Sequence, residues 1–153
     1  MRQSETVMND GHFRGLERMY LAAPCNEIYR PRVTITEGSA KIGFDVGPHL
    51  HHAGRAVHGS AYFKAMDDAA FFAVNSLVED VFVLTVTFNI YLLRPISEGE
   101  MVATGTVVNA GRTVWAAEAT LSDDRGRQLG RGSGTFMRSR LALSEAMGYN
   151  GKD

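Results

Sequence analysis

The chain has 153 residues, 44% hydrophobic and 22% charged, and its 16 Lys plus Arg against 17 Asp plus Glu leave a formal net charge of −1. That length suits one globular domain (1–153) with a real core, and the near-neutral balance gives nucleic acid or an anionic membrane no electrostatic hold. The single Cys25 excludes an internal disulfide and a multi-cysteine metal site, no run reaches the roughly 20 apolar residues of a bilayer span, and Met1–Asp10 lacks a signal-like stretch, so the cytoplasm is the expected compartment.

Phe13, Leu16, Met19, Tyr20 and Ala23 share one helical face, with Gly11 before them and Pro24 and Pro31 bracketing the end. The spacing predicts a short amphipathic helix at about 12–28, packed outside a core of about 33–140. Ala40–Val46 alternates as a half-buried strand does and stops at Gly47-Pro48. A His-rich irregular segment, 49–57, follows. Ser60–Val78 is then apolar on nearly every side, the pattern of a helix buried on most faces, yet it carries Asp67 and Asp68 in the middle. Self-association of two copies would account for part of that apolarity.

From Val81 the period changes to two. Strands are expected at 81–93, 101–109, 113–121 and 128–138, joined by short turns such as Glu98-Gly99-Glu100 and Ala110-Gly111-Arg112, as an antiparallel meander. The tail after Leu141 is weakly patterned and expected to fray. An antiparallel sheet with one apolar face must cover it, and the apolar helix is the filler at hand. The class is therefore α+β, a curved sheet wrapped round one long helix: the hotdog architecture.

The stretch Gly54-Arg55-Ala56-Val57-His58-Gly59-Ser60, with Asp67 nine residues after His58, resembles the hotdog thioesterases of the phenylacetate-degradation (PaaI-like) type. Their signature is an Asn-x-x-Gly loop, a His-Gly-Gly at the central helix start, and an acid nine residues after the His. Val83–Ile90 leading to Leu93-Arg94-Pro95, and Gly130–Phe136, extend the likeness over roughly 39–138. The resemblance implies hydrolysis of an acyl-CoA thioester with no metal or cofactor, coenzyme A being part of the substrate. It gives Gly59 N–H the oxyanion, Asp67 the role of general base or nucleophile, and Thr85 that of holding water. Physical chemistry reaches Gly59 independently: a helix start offers unpaired N–H groups and the positive dipole end, and glycine leaves them open to a ligand. Thr85 reads equally well as an ordinary β-branched strand residue.

Two positions depart from the signature. Ser60 replaces the second Gly, and could offer its N–H with its hydroxyl at the helix start. The Asn is missing; its place falls on His52 counted from His58, or on His51 counted from Gly54. Either imidazole donates only in a suitable tautomer. His58 reads more as a brace for the loop than as a proton carrier. Adjacent helical residues point about 100° apart, so one of Asp67 and Asp68 faces a given cleft, and spacing selects Asp67.

Gly59 and Asp67 lie eight residues apart, about 12 Å along a helix axis. One thioester cannot touch both on one chain, so the pair implies a homodimer, or a dimer of dimers, with Asp67 supplied by the neighbour. Arg94, Arg112 and Arg138 are candidates for coenzyme A phosphates, with surface solvation as their plainer role. Tyr62, Phe63 and Phe71 or Phe72 are candidate pocket lining. His49, His51, His52 and His58 are dense enough to suggest zinc, but they sit in a flexible loop without a ligand-spaced helix, and we assign no metal. A non-catalytic acyl-CoA-binding hotdog is the alternative; a hotdog hydratase would need an Asp–His pair about five residues apart that is missing here.

Overall fold

The computed structural model describes residues 2–152, with side chains from Asp10 onward. Its elements are α1 (Arg2–Ala22), α2 (Asn26–Tyr29), β1 (Arg32–Thr36), β2 (Ser39–Val46), a 3-10 turn (Pro48–Leu50), α3 (Gly59–Asn75), β3 (Val81–Leu92), β4 (Gly99–Ala110), β5 (Val114–Asp123), β6 (Gln128–Ala142) and a second 3-10 turn (Glu145–Met147). The helix expected at 12–28 ends at Ala22, ahead of Pro24, and α2 follows as a separate turn. The sequence reading did not identify β1, which completes a hairpin with β2 through Gly38 in a left-handed conformation.

All strand pairings are antiparallel, in the order β1-β2-β4-β5-β6-β3. This corrects the simple meander: β4, β5 and β6 follow one another, but β3 crosses to the far edge and pairs with β6, Thr85 opposite Phe136. The reason is the connection at 93–98. It holds Pro95 and is too long for a tight hairpin turn, but long enough to cross three strand spacings of about 14 Å. The strand that carries Thr85 thereby becomes a sheet edge.

The sheet curves round α3. The apolar faces of α3 that suggested self-association are largely covered within the chain: Ala65, Met66, Ala69, Ala70 and Val74 are fully buried. Ala69 and Ala70 allow the helix to lie against Gly105 on β4 so closely that a Cβ there would stand 2.2 Å from the Ala69 carbonyl oxygen. At its C-terminal end, buried Asn75 donates to the carbonyls of Val78 (3.0 Å) and Val81 (3.1 Å) and accepts from Val83 N–H (3.1 Å), which fixes the turn into β3.

The tail docks instead of fraying. His12 Nε2–H donates to the Asn75 carbonyl (2.8 Å), and Nδ1 lies 2.9 Å from the Tyr149 hydroxyl, so the imidazole clamps the tail to α1 and α3. The Tyr149 ring lies where a side chain at Gly15 would be, 2.7 Å from that Cβ position. No described helix is long and apolar enough to cross a membrane.

Gly105→Ala drives a methyl group into the α3 backbone and should cost about 3 kcal/mol or more, seen as a lower midpoint in denaturant. An unchanged midpoint would show that α3 does not depend on this close approach.

Candidate active site

The loop ahead of α3 is built by three histidines and one strained residue. His52 N–H bonds the Ala56 carbonyl (2.9 Å) and Arg55 N–H bonds the His52 carbonyl (3.0 Å), closing a three-residue connection whose last member, Arg55, is left-handed at φ 62°. A non-glycine residue there stores strain that the surroundings must hold. Ser97 holds it, its hydroxyl donating to the Arg55 carbonyl (3.1 Å).

His58 caps α3: its Nδ1 accepts from Ser60 N–H (3.0 Å) and lies 2.8 Å from the Ser60 hydroxyl. The N–H expected to remain available at Ser60 is therefore already used. Ala61 N–H returns to the His58 carbonyl (3.0 Å). Of the first three amides of the helix, Gly59 N–H is the one left facing outward, among the described residues, at the positive end of the dipole. Gly59 borders a crevice of about 580 Å³ with His52, Tyr62, Leu92 and Arg94. The Tyr62 hydroxyl donates to the Arg94 carbonyl (2.7 Å), pinning the far wall.

The two histidines that could replace the amide go to different places. His51 Nε2–H donates to the Ser97 carbonyl (2.7 Å), and His51 does not line the Gly59 crevice. His52 does line it. Its Nδ1 accepts from Gly54 N–H (2.9 Å), which in a neutral ring places the proton on Nε2, free to donate. Gly54 is needed for this contact, since a Cβ would meet the ring at 2.8 Å. Among the described residues, no three His, Cys, Asp or Glu side chains converge as a ligand set for a metal.

Asp67 and Asp68 diverge as their positions on the helix require. Asp67 Oδ1 accepts from the Thr85 hydroxyl on β3 (2.9 Å). Burial pushes its carboxyl up to about 6, against the lowering effect of that hydrogen bond. Asp68 turns to the other flank, where the Tyr20 hydroxyl (2.7 Å) and the Lys64 ammonium both donate to it. Burial raises Asp68 too, opposed by Lys64 and Tyr20. The sequence reading missed both of these partners. Lys64 was detectable as an i,i+4 ion pair; Tyr20 depends on a distant helix.

The arginines also separate. Arg94 lines the crevice, Arg112 sits exposed in the β4–β5 turn and does not line it, and Arg138 pairs with Asp80. Phe71 and Phe72 line a different cavity, and Phe63 packs edge-on against Phe88 at 5.7 Å.

Residues 54–129 match the thioesterase superfamily. A Saccharolobus solfataricus protein named as an esterase is 24% identical over 111 residues, 72% of this chain and 74% of its own length. The structure of the Escherichia coli PaaI protein from the phenylacetic acid degradation operon superposes with a TM-score of 0.80 at 18% identity, covering 90% of this chain and 99% of that one. A Mycobacterium tuberculosis protein described as an esterase gives a TM-score of 0.71 at 25% identity, covering 76% and 97%. The chain is thus a hydrolase that carries a thioesterase-superfamily domain at residues 54–129, on a PaaI-like hotdog fold.

Proposed function

We propose that the protein hydrolyses acyl-coenzyme A thioesters at a site completed by two copies of the chain, without a metal or cofactor of its own. The observation that carries this is the pairing of an unengaged Gly59 N–H with a carboxylate, Asp67, whose burial brings it near neutrality. Thr85 gives its proton to Asp67 Oδ1 and keeps lone pairs for a water hydrogen, so a water can sit on both. Asp67 takes a proton from that water as its oxygen attacks the carbonyl carbon. Gly59 N–H and His52 Nε2–H stabilise the oxyanion. Collapse breaks the C–S bond, and the proton passes to the departing thiolate, giving a carboxylic acid and coenzyme A. Arg94, in the crevice with Gly59, is the arginine placed to meet the phosphates.

Eight helical residues put Gly59 and Asp67 about 12 Å apart along the axis, so one carbonyl reaches both only if they come from different chains. The free edge of β3, beside Thr85, is a natural seam for a second copy. Direct attack by Asp67, giving a mixed anhydride that water opens at the Asp67 carbon, is the competing version; single turnover in heavy-oxygen water would then leave label in Asp67 instead of the product acid.

Asp67→Asn should lower kcat for an acyl-CoA by about 10²-fold or more, and a variant within threefold of wild type would move the chemistry elsewhere. In the wild type, kcat/KM should rise with pH through about 6 as the base loses its proton. The folded carboxyl keeps its proton to a higher pH than the unfolded one, so stability falls as pH rises between about 4 and 6. Asp67→Asn should therefore raise Tm at pH 8 but not at pH 4. Mixing Asp67→Asn with Gly59→Val, each inactive alone, should restore about a quarter of wild-type activity, since half the dimers then hold one intact site. No recovery would confine the site to a single chain.

A further inference from the structure

The turn that carries His52 hangs from one residue of the 93–98 crossover, Ser97. The Ser97 hydroxyl donates to the Arg55 carbonyl (3.1 Å), and the Ser97 carbonyl accepts from His51 Nε2–H (2.7 Å), so one residue grips the chain on both sides of His52. We propose that Ser97 is a positioning residue for hydrolysis: it holds the strained Arg55, and through it the His52 imidazole, where the oxyanion forms. This rests on the hydrolytic reading above.

Three observations carry it. First, strain: Arg55 at φ 62° relaxes to negative φ unless something outside the turn holds it. Relaxation would swing the peptide that joins it to Ala56, whose carbonyl accepts from His52 N–H (2.9 Å), and so release His52. Among the described residues, Ser97 supplies the side chain from outside this loop that bonds Arg55. Second, support: the crossover is itself fixed. Leu93 N–H bonds the Leu129 carbonyl (2.9 Å) on β6, and the Ile96 carbonyl accepts from Val57 N–H (2.9 Å). Third, reach: Ser97 is exposed and does not line the Gly59 crevice, whereas the His52 ring does, 6.5 Å from the ring of His58 just ahead of Gly59. Val57 and His58 are held by the Ile96 and Leu50 carbonyls and not by Ser97, so Gly59 N–H keeps its place when Ser97 is altered. The effect of Ser97 falls on one oxyanion donor of the two.

Ser97→Ala should lower kcat for an acyl-CoA about fivefold, with KM within about twofold of wild type. The rise of kcat/KM with pH through about 6 should stay where it is, since Asp67 is untouched. Adding Arg55→Asn should bring kcat back to within about twofold of wild type, because asparagine accepts the left-handed conformation without a hold. In a His52→Ala background, Ser97→Ala should cost less than about twofold more. A Ser97→Ala kcat within twofold of wild type, no recovery with Arg55→Asn, or the full loss repeated without His52 overturns the proposal. Amide hydrogen exchange tests the hold apart from turnover: Ser97→Ala should speed exchange at His52 and Arg55 about fivefold and leave Val83 unchanged. Unaltered exchange at His52 and Arg55 also overturns the proposal. A wild type that hydrolyses no acyl-CoA, with the exchange response intact, removes the hydrolytic reading and the use given to His52, and leaves the grip of Ser97 on the loop standing.

Discussion

The seating of α3 against Gly105 sets every other dimension of the molecule. A side chain there would collide with the Ala69 backbone, so the helix lies at a depth that only bare backbone and alanine permit. From that depth its first amides emerge at one end of the sheet, while Asp67, two turns along, meets the strand that carries Thr85. Asn75 then fixes the opposite end by bonding Val83 N–H, which anchors the start of that same strand. The helix acts as a ruler with a donor near one end and an acid at its middle.

Adjacent carboxylates on one helix are ordinarily a liability, and here each has a different remedy. Asp68 is neutralised in place by Lys64 and hydrogen-bonded by Tyr20. Among the described residues Asp67 has one hydroxyl partner and no bonded cation, and burial raises its affinity for protons. The ion pair thus supports the fold, while the neighbouring carboxylate is left with the Thr85 hydroxyl as its side-chain partner.

Much of this was readable from spacing. The apolar helix, β2 and the later strands follow from periodicity, and the motif before Ser60 marks where α3 begins at Gly59. What stayed hidden depends on contacts distant in sequence. The placement of β3 beside β6 is a matter of register across some fifty residues, to which no turn signal speaks. His51 and His52 are indistinguishable in sequence; Ser97, 46 residues on, holds one away from the crevice, while Gly54 fixes the proton of the other. The tail looked structureless because its anchor, the flat surface at Gly15, lies near the other end of the chain.

The exposed edge of β3 has a consequence for handling the protein. Leu84 and Val86 are 50% and 54% exposed on a twelve-residue strand at the sheet edge, with no further strand beside it once Asn75 has bonded its start at Val81 and Val83. Such an edge recruits whatever β-structure it meets, correct or not. Dilution or slow refolding therefore puts orderly pairing in competition with precipitation, and the yield of recovered material depends on how fast the right edge is found.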